Sequence, residues 1–144
     1  MAKKEEEYVV DSSVVVKWFL VESDSDLAIR LRDDFATARV SLAVPTLMFY
    51  EVMNALRFSR LFKERDLVLA AKSLSKYKFG IWRPKGRLLE LSGELSLREG
   101  LTVYDSCYAA LAQRIGTKVI TEDKELLQKF PVQTMSLQRY NPRS

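Results

Sequence analysis

Histidine is absent from all 144 residues. That removes Ser-His-Asp and Cys-His catalysis and the most familiar zinc ligand. Cys107 is the only cysteine, so no disulfide can form within the chain, and a reducing, cytoplasmic setting is expected. Long apolar runs are missing too. The stretch from Val14 to Val21 is short and carries Lys17, so no membrane span is expected. Met1–Glu7 is highly charged and lacks the apolar centre of a secretory leader. Without histidine, acid–base work falls to carboxylates, lysine, tyrosine or metal-bound water.

The composition that remains is that of a soluble globular domain, with 47% hydrophobic and 29% charged residues. The length suits one domain able to bury a core. A net charge of +4 suits a nucleic-acid partner without requiring one. No repeat, linker or low-complexity segment divides the chain. The expected organisation is a polar arm over 1–7, a folded domain over 8–136 and a polar tail over 137–144.

Strand and helix signals alternate along the sequence. Tyr8–Asp11 is a short apolar run ending in an aspartate, and Ser12 and Ser13 follow before a helical pattern over Val14–Leu20. Asp24–Ala38 has helical spacing, with Ser23 as its candidate N-cap. Val40–Val44 reads as a strand closed by Pro45, which also suits the first position of the next helix. That helix, Thr46–Phe58, is apolar all round and should be buried on most faces. Helices are expected over Lys63–Tyr77, Arg87–Glu99 (weakened by Gly93), Val103–Ile115 and Lys124–Phe130. Strands are expected at Phe79–Trp82, Lys118–Ile120 and Val132–Met135. The alternation predicts a three-layer α/β/α domain on a mainly parallel sheet.

Four acidic residues recur at the carboxyl ends of strands or on helices beside them: Asp11, Glu51, Asp105 and Asp123. Chemistry in open α/β sheets lies at that edge. Each has a plainer reading. Asp11 suits an Asx-turn, Asp105 completes a capping-box pattern with Thr102, and Asp123 suits the cap of the following helix. Glu51 is harder to explain away. It lies in an apolar helix with no Lys or Arg at i±3 or i±4, so the plain reading needs a distant cation such as Lys17 or Arg98, or a helix edge that reaches solvent. An oxygen-only cluster selects Mg²⁺ or Mn²⁺, the usual partners of phosphate oxygens.

Four segments carry a resemblance in order along nearly the whole chain: Asp11-Ser12-Ser13-Val14 with Lys17-Trp18; Glu51-x-x-Asn54-x-Leu56; Tyr104-Asp105-x-x-Tyr108-x-Ala110-Leu111-Ala112; and Thr121-x-Asp123-x-x-Leu126. Together they resemble PIN-domain nucleases, most of all the toxins of VapBC-type toxin–antitoxin pairs. The resemblance implies a PIN fold over 8–136 and a Mg²⁺- or Mn²⁺-dependent endoribonuclease that leaves a 5′-phosphate and a 3′-hydroxyl. It also implies a homodimer and a cognate antitoxin. Asp11, Glu51, Asp105 and Asp123 match the family's acidic residues, Thr121 its accessory hydroxyl, and Asn54 a polar position beside the site. Ser13 is a further candidate for orienting a carboxylate, water or phosphate oxygen.

Tyr50, Asn54, Arg57, Arg60, Lys63 and Arg65 are candidates for a strand-binding groove, although such charge runs are usually solvated helix ends. Trp18, Leu61 and Phe62 are candidates for a dimer or antitoxin contact, or for finishing the core. A haloacid-dehalogenase-like phosphatase needs a second aspartate where Ser13 stands, and a receiver domain needs an acidic pair that Asp11 lacks. The remaining rivals are a PIN nuclease of RNA processing and a non-catalytic binding module.

Overall fold

β1 (Glu6–Val10) holds the centre of the sheet, and its carboxyl half, Val9 and Val10, is fully buried. The computed structural model describes residues 6–140. After β1 come a single α turn, α1 (Ser12–Val15), and a 3₁₀ turn at Val16–Trp18. Then follow α2 (Ser25–Ala36), β2 (Val40–Pro45), α3 (Leu47–Phe58), α4 (Glu64–Lys76) and β3 (Gly80–Trp82). The last elements are α5 (Arg87–Glu99), α6 (Val103–Ile115), β4 (Val119–Ile120), α7 (Lys124–Lys129), β5 (Thr134–Met135) and a 3₁₀ turn at Leu137–Arg139.

The strands are ordered β3-β2-β1-β4-β5, and every pairing is parallel. Helices cover the sheet in three layers, which is why β2 can be apolar almost throughout. The chain builds outward from β1 through β2 to β3, then returns to the other flank of β1 as β4 and β5. The order therefore reverses between β1 and β4. A crevice opens outside the strand ends at such a reversal. β1 delivers Asp11 to that point, and β4 delivers Thr121 and Asp123.

α6 is the deepest helix, buried without a break from Ser106 to Ala112. It packs on β1 and β2 and makes its broadest helix contact with α5. Gly116 ends it at φ 83°, a conformation that disfavours any side chain. α3 departs from expectation. Only its stripe of Met48, Val52 and Leu56 is buried, while Tyr50 is 82% and Phe58 66% exposed. Its neighbours α1 and α4 cover one side of the helix and leave the other to solvent.

The sequence misplaced several boundaries. Glu6 and Glu7, expected in the polar arm, pair with Val40 and Ser41 of β2, because backbone pairing tolerates exposed acidic side chains; residues 1–5 lie outside the described region. Pro45 closes β2 instead of opening α3. Asp24, with φ 61°, rather than Ser23 precedes α2, and Ser25 Oγ accepts from the Glu22 N–H at 2.7 Å. Trp18 belongs to the core. It is 7% exposed and stacks on Phe79 at 6.0 Å within a ring cluster that includes Phe35 and Tyr77. Leu61 is 75% exposed, and Phe62 packs partly against the core. The start of the supposed polar tail is also folded in. Leu137 and Tyr140 are buried, and the Tyr140 hydroxyl donates to Asp34 Oδ2 at 2.7 Å. Residues 141–144 lie outside the described region. Among the described residues, no helix is long and apolar enough to cross a membrane.

Candidate active site

Asp11 leaves β1 with its backbone N–H donating to the Ile120 carbonyl at 3.0 Å, so β4 holds it in place. Its carboxylate is 5% exposed, and Oδ2 accepts from Ser13 Oγ at 2.6 Å and Thr121 Oγ1 at 2.8 Å. The direction of both bonds is set by their neighbours. The Asp123 N–H donates to Thr121 Oγ1 and the Glu122 N–H to Ser13 Oγ, each at 3.0 Å. Each hydroxyl therefore accepts from the β4–α7 turn and spends its own proton on Asp11. Burial pushes the Asp11 carboxyl group above its ordinary range. The Ser13 and Thr121 side chains pull it back, the Asp123 charge raises it again, and the Ser13 N–H lowers it least.

Glu51 points from α3 towards the same crevice. Its Oε1 accepts the Tyr108 hydroxyl proton at 2.5 Å. Burial pushes its pKa up to about 7, against the Tyr108 hydrogen bond; the Asp11 charge raises it, a Ser12 hydrogen bond lowers it, and the Asp105 charge raises it further. Glu51 is half-buried at the edge of a helix whose outer side reaches solvent, the other plain reading of the sequence, and neither cation considered there neutralises it. Lys17 Nζ donates to the Ser23 carbonyl at 2.7 Å and lies 3.9 Å from Glu22, while Arg98 acts on Glu94.

Asp105 and Asp123 both lie at helix starts, where the capping readings placed them. The Asp105 N–H donates to Thr102 Oγ1 at 3.0 Å, so Thr102 caps α6. The Asp105 carboxyl group is nevertheless raised, by burial first and then by the Asp123 charge, with a Thr102 hydrogen bond lowering it and Glu125 raising it slightly. Asp123 Oδ1 caps α7 by accepting from the Glu125 N–H at 2.8 Å and the Leu126 N–H at 3.1 Å. Only one of its oxygens is used in this way.

Charges within the group raise Asp11, Glu51 and Asp105, and among the described residues none of the four carboxylates forms a salt bridge. They are gathered but not closed into a cage. Among the described residues, no three acidic or cysteine side chains are already set to hold one ion. The donor set itself, all oxygen and without an ion-pair partner, fits a hard divalent cation.

The accessory candidates divide. Ser13 and Thr121 are at the centre. Asn54 is exposed on α3 and lines a shallow groove with Tyr50, Glu51, Met53, Arg57 and Leu67. Arg60, Lys63 and Arg65 are exposed beyond α3 and do not line that groove. Sequence reasoning missed Tyr108 as the polar partner of Glu51. For Tyr108 a signal existed: a tyrosine in an otherwise apolar stripe needs a hydrogen-bond partner.

A family model described as "PIN domain" matches residues 8–131. The chain belongs to the PIN-domain family. Two curated relatives come from Pyrobaculum aerophilum. Ribonuclease VapC3 is 32% identical over 127 residues, covering 85% of this chain and 94% of the relative. Exonuclease VapC9 is 29% identical over 123 residues, covering 85% of each. The PIN fold is also similar to a solved protein of Pyrobaculum aerophilum, with TM-score 0.65, 28% identity, and 92% and 90% of the two chains covered. VapBC2 from Rickettsia felis, solved bound to a promoter DNA fragment, matches with TM-score 0.64 at 15% identity over 90% of this chain and 98% of that one, which bears on the fold alone. The chain is thus a PIN-domain protein similar to VapC ribonucleases.

Proposed function

We propose that this PIN domain is a Mg²⁺- or Mn²⁺-dependent endoribonuclease and the toxin of a type II toxin–antitoxin pair. The observation that carries the reading is the uncompensated carboxylate group at the β1/β4 reversal. Asp11, Glu51, Asp105 and Asp123 would hold the cation. A bound divalent cation supplies an acidified water and offsets charge on a phosphodiester in attack.

The chain's own residues prepare that site. Ser13 and Thr121 both hold Oδ2 of Asp11, which fixes the carboxylate without neutralising it. Asp123 is anchored through its helix-capping oxygen and offers the second. Tyr50, Asn54 and Arg57 extend the site along α3, where an exposed ring, an amide and a guanidinium suit a nucleic-acid strand. Expected products are a 5′-phosphate and a 3′-hydroxyl.

A cytoplasmic homodimer held in check by a cognate antitoxin completes the proposal. Leu61 and Phe62 are candidates for part of a protein contact, whereas buried Trp18 is not. Sedimentation showing only monomer at high micromolar concentration would count against the dimer.

One relative's name favours a second reading, exonucleolytic action. A circular single-stranded RNA separates the two. Endonuclease action with Mn²⁺ linearises the circle, whereas an exonuclease degrades only the linear control. Degradation of neither RNA across a wide Mg²⁺ and Mn²⁺ range would leave a non-catalytic PIN module.

A further inference from the structure

Tyr108 is completely buried in α6, on a stripe shared with Leu111 and partly buried Ile115. A phenylalanine would fill nearly the same space. What tyrosine adds is the hydroxyl, and that hydroxyl donates to Glu51 Oε1 at 2.5 Å, joining α6 to α3. Glu51 is thus held by a neutral donor, as Asp11 is by Ser13 and Thr121. The choice of donor matters. A lysine or arginine here would cancel the charge that attracts a cation, whereas a hydroxyl fixes one carboxylate oxygen and leaves both the charge and the second oxygen available.

We propose that Tyr108 is a positioning residue of the carboxylate site, aiming Glu51 at a cation shared with Asp11 and Asp105. The inference rests on the metal-dependent reading above. Its rival is that Tyr108 merely satisfies a buried hydroxyl. The molecule contains a matched control, because Tyr140 donates to the buried carboxylate of Asp34 at 2.7 Å and none of the four site carboxylates acts on it.

The test is Mn²⁺ binding to the full chain, by calorimetry and by loss of the free-ion electron paramagnetic resonance signal. Wild type is compared with Tyr108→Phe, Tyr140→Phe, Glu51→Gln and the Tyr108→Phe/Glu51→Gln double variant. Thermal melting in EDTA reports the structural cost separately. Tyr108→Phe should weaken Mn²⁺ by roughly tenfold to a hundredfold, as loss of a ligand-orienting group does. Tyr140→Phe should bind like wild type even if it melts lower. In the Glu51→Gln background Tyr108→Phe should change little, because the group it orients is gone. Unchanged Mn²⁺ affinity in Tyr108→Phe, with affinity lost in Glu51→Gln, would overturn the positioning role alone. No Mn²⁺ binding by wild type would overturn the metal reading and this inference with it. Should Tyr108→Phe not fold, Tyr108→Met takes its place, filling the space without a hydroxyl, and an unchanged affinity there overturns the proposal equally.

Discussion

Thr121 Oγ1 donates to Asp11 Oδ2 at 2.8 Å while accepting the Asp123 N–H at 3.0 Å. One fully buried hydroxyl therefore ties the end of β1 to the end of β4 and links the Asp11 carboxylate to the backbone of Asp123. Thr121→Val keeps the shape and removes both bonds. It should cost about 1–3 kcal/mol of stability and at least roughly tenfold in RNA cleavage. Thr121→Ser should restore most of both. Thermal melting and a cleavage assay on the two variants check this, and a fully active valine variant would remove Thr121 from the site.

Asp105 separates the repulsion account from a purely capping role. Thr102, not the Asp105 carboxylate, accepts the capping N–H of α6, so Asp105→Asn leaves the cap in place. The change also removes one of the mutually raised charges. In EDTA at neutral pH the variant should be as stable as wild type or more stable, by up to about 2 kcal/mol. Millimolar Mg²⁺ should raise the melting temperature of wild type by mass action and that of the variant much less. Equal shifts in the two proteins would contradict a shared metal site.

The pH dependence of the metal-free protein follows from Glu51, whose folded pKa of about 7 lies above its ordinary 4.5. Between those values the folded protein retains a proton that the unfolded chain has released. Stability from this group is therefore full below about pH 4.5 and is lost as the pH rises to about 7. Asp11 and Asp105 are raised as well and act in the same direction. Because Glu51 is partly solvated, its share is discounted to about 1–2 kcal/mol. Urea melts of Glu51→Gln should show a flatter pH profile than wild type in EDTA. Parallel profiles would show that Glu51 is not strained.

Gly93 gives a prediction remote from the site. It lies in the exposed middle of α5, and a Cβ there would meet nothing within 4 Å. Gly93→Ala should stabilise the fold by about 0.5–1 kcal/mol and leave cleavage unchanged. A lower melting temperature would contradict the helix assignment at that position.

The sequence was most legible where one physical pattern acted alone. Val9-Val10-Asp11 marks a buried strand handing a carboxylate to a turn, and Gly116 marks a helix end. Both stand where expected. It was least legible where tertiary contacts decided. Trp18 is classed as core only once Phe35, Tyr77 and Phe79 surround it. α3 is half exposed because its neighbours cover only one side. Tyr140 follows a polar stretch, and only the fold brings Asp34 to its hydroxyl. At the candidate site, the residue types of Asp11, Glu51, Asp105 and Asp123 were readable. That Asp123 also caps α7, and that Tyr108 rather than a cation holds Glu51, were not, because both depend on which helix lies opposite.

The central claim is that these four carboxylates form one metal-dependent ribonuclease site. Its most direct test is RNA cleavage by wild type, Asp11→Asn and Asp105→Asn, purified identically and assayed with Mn²⁺, with Mg²⁺ and with EDTA. Wild type should cut RNA only when a divalent cation is present. Each variant should stay folded and lose at least roughly tenfold to a hundredfold of that activity. Cleavage by both variants at the wild-type rate, or cleavage by wild type undiminished in EDTA, would contradict the account.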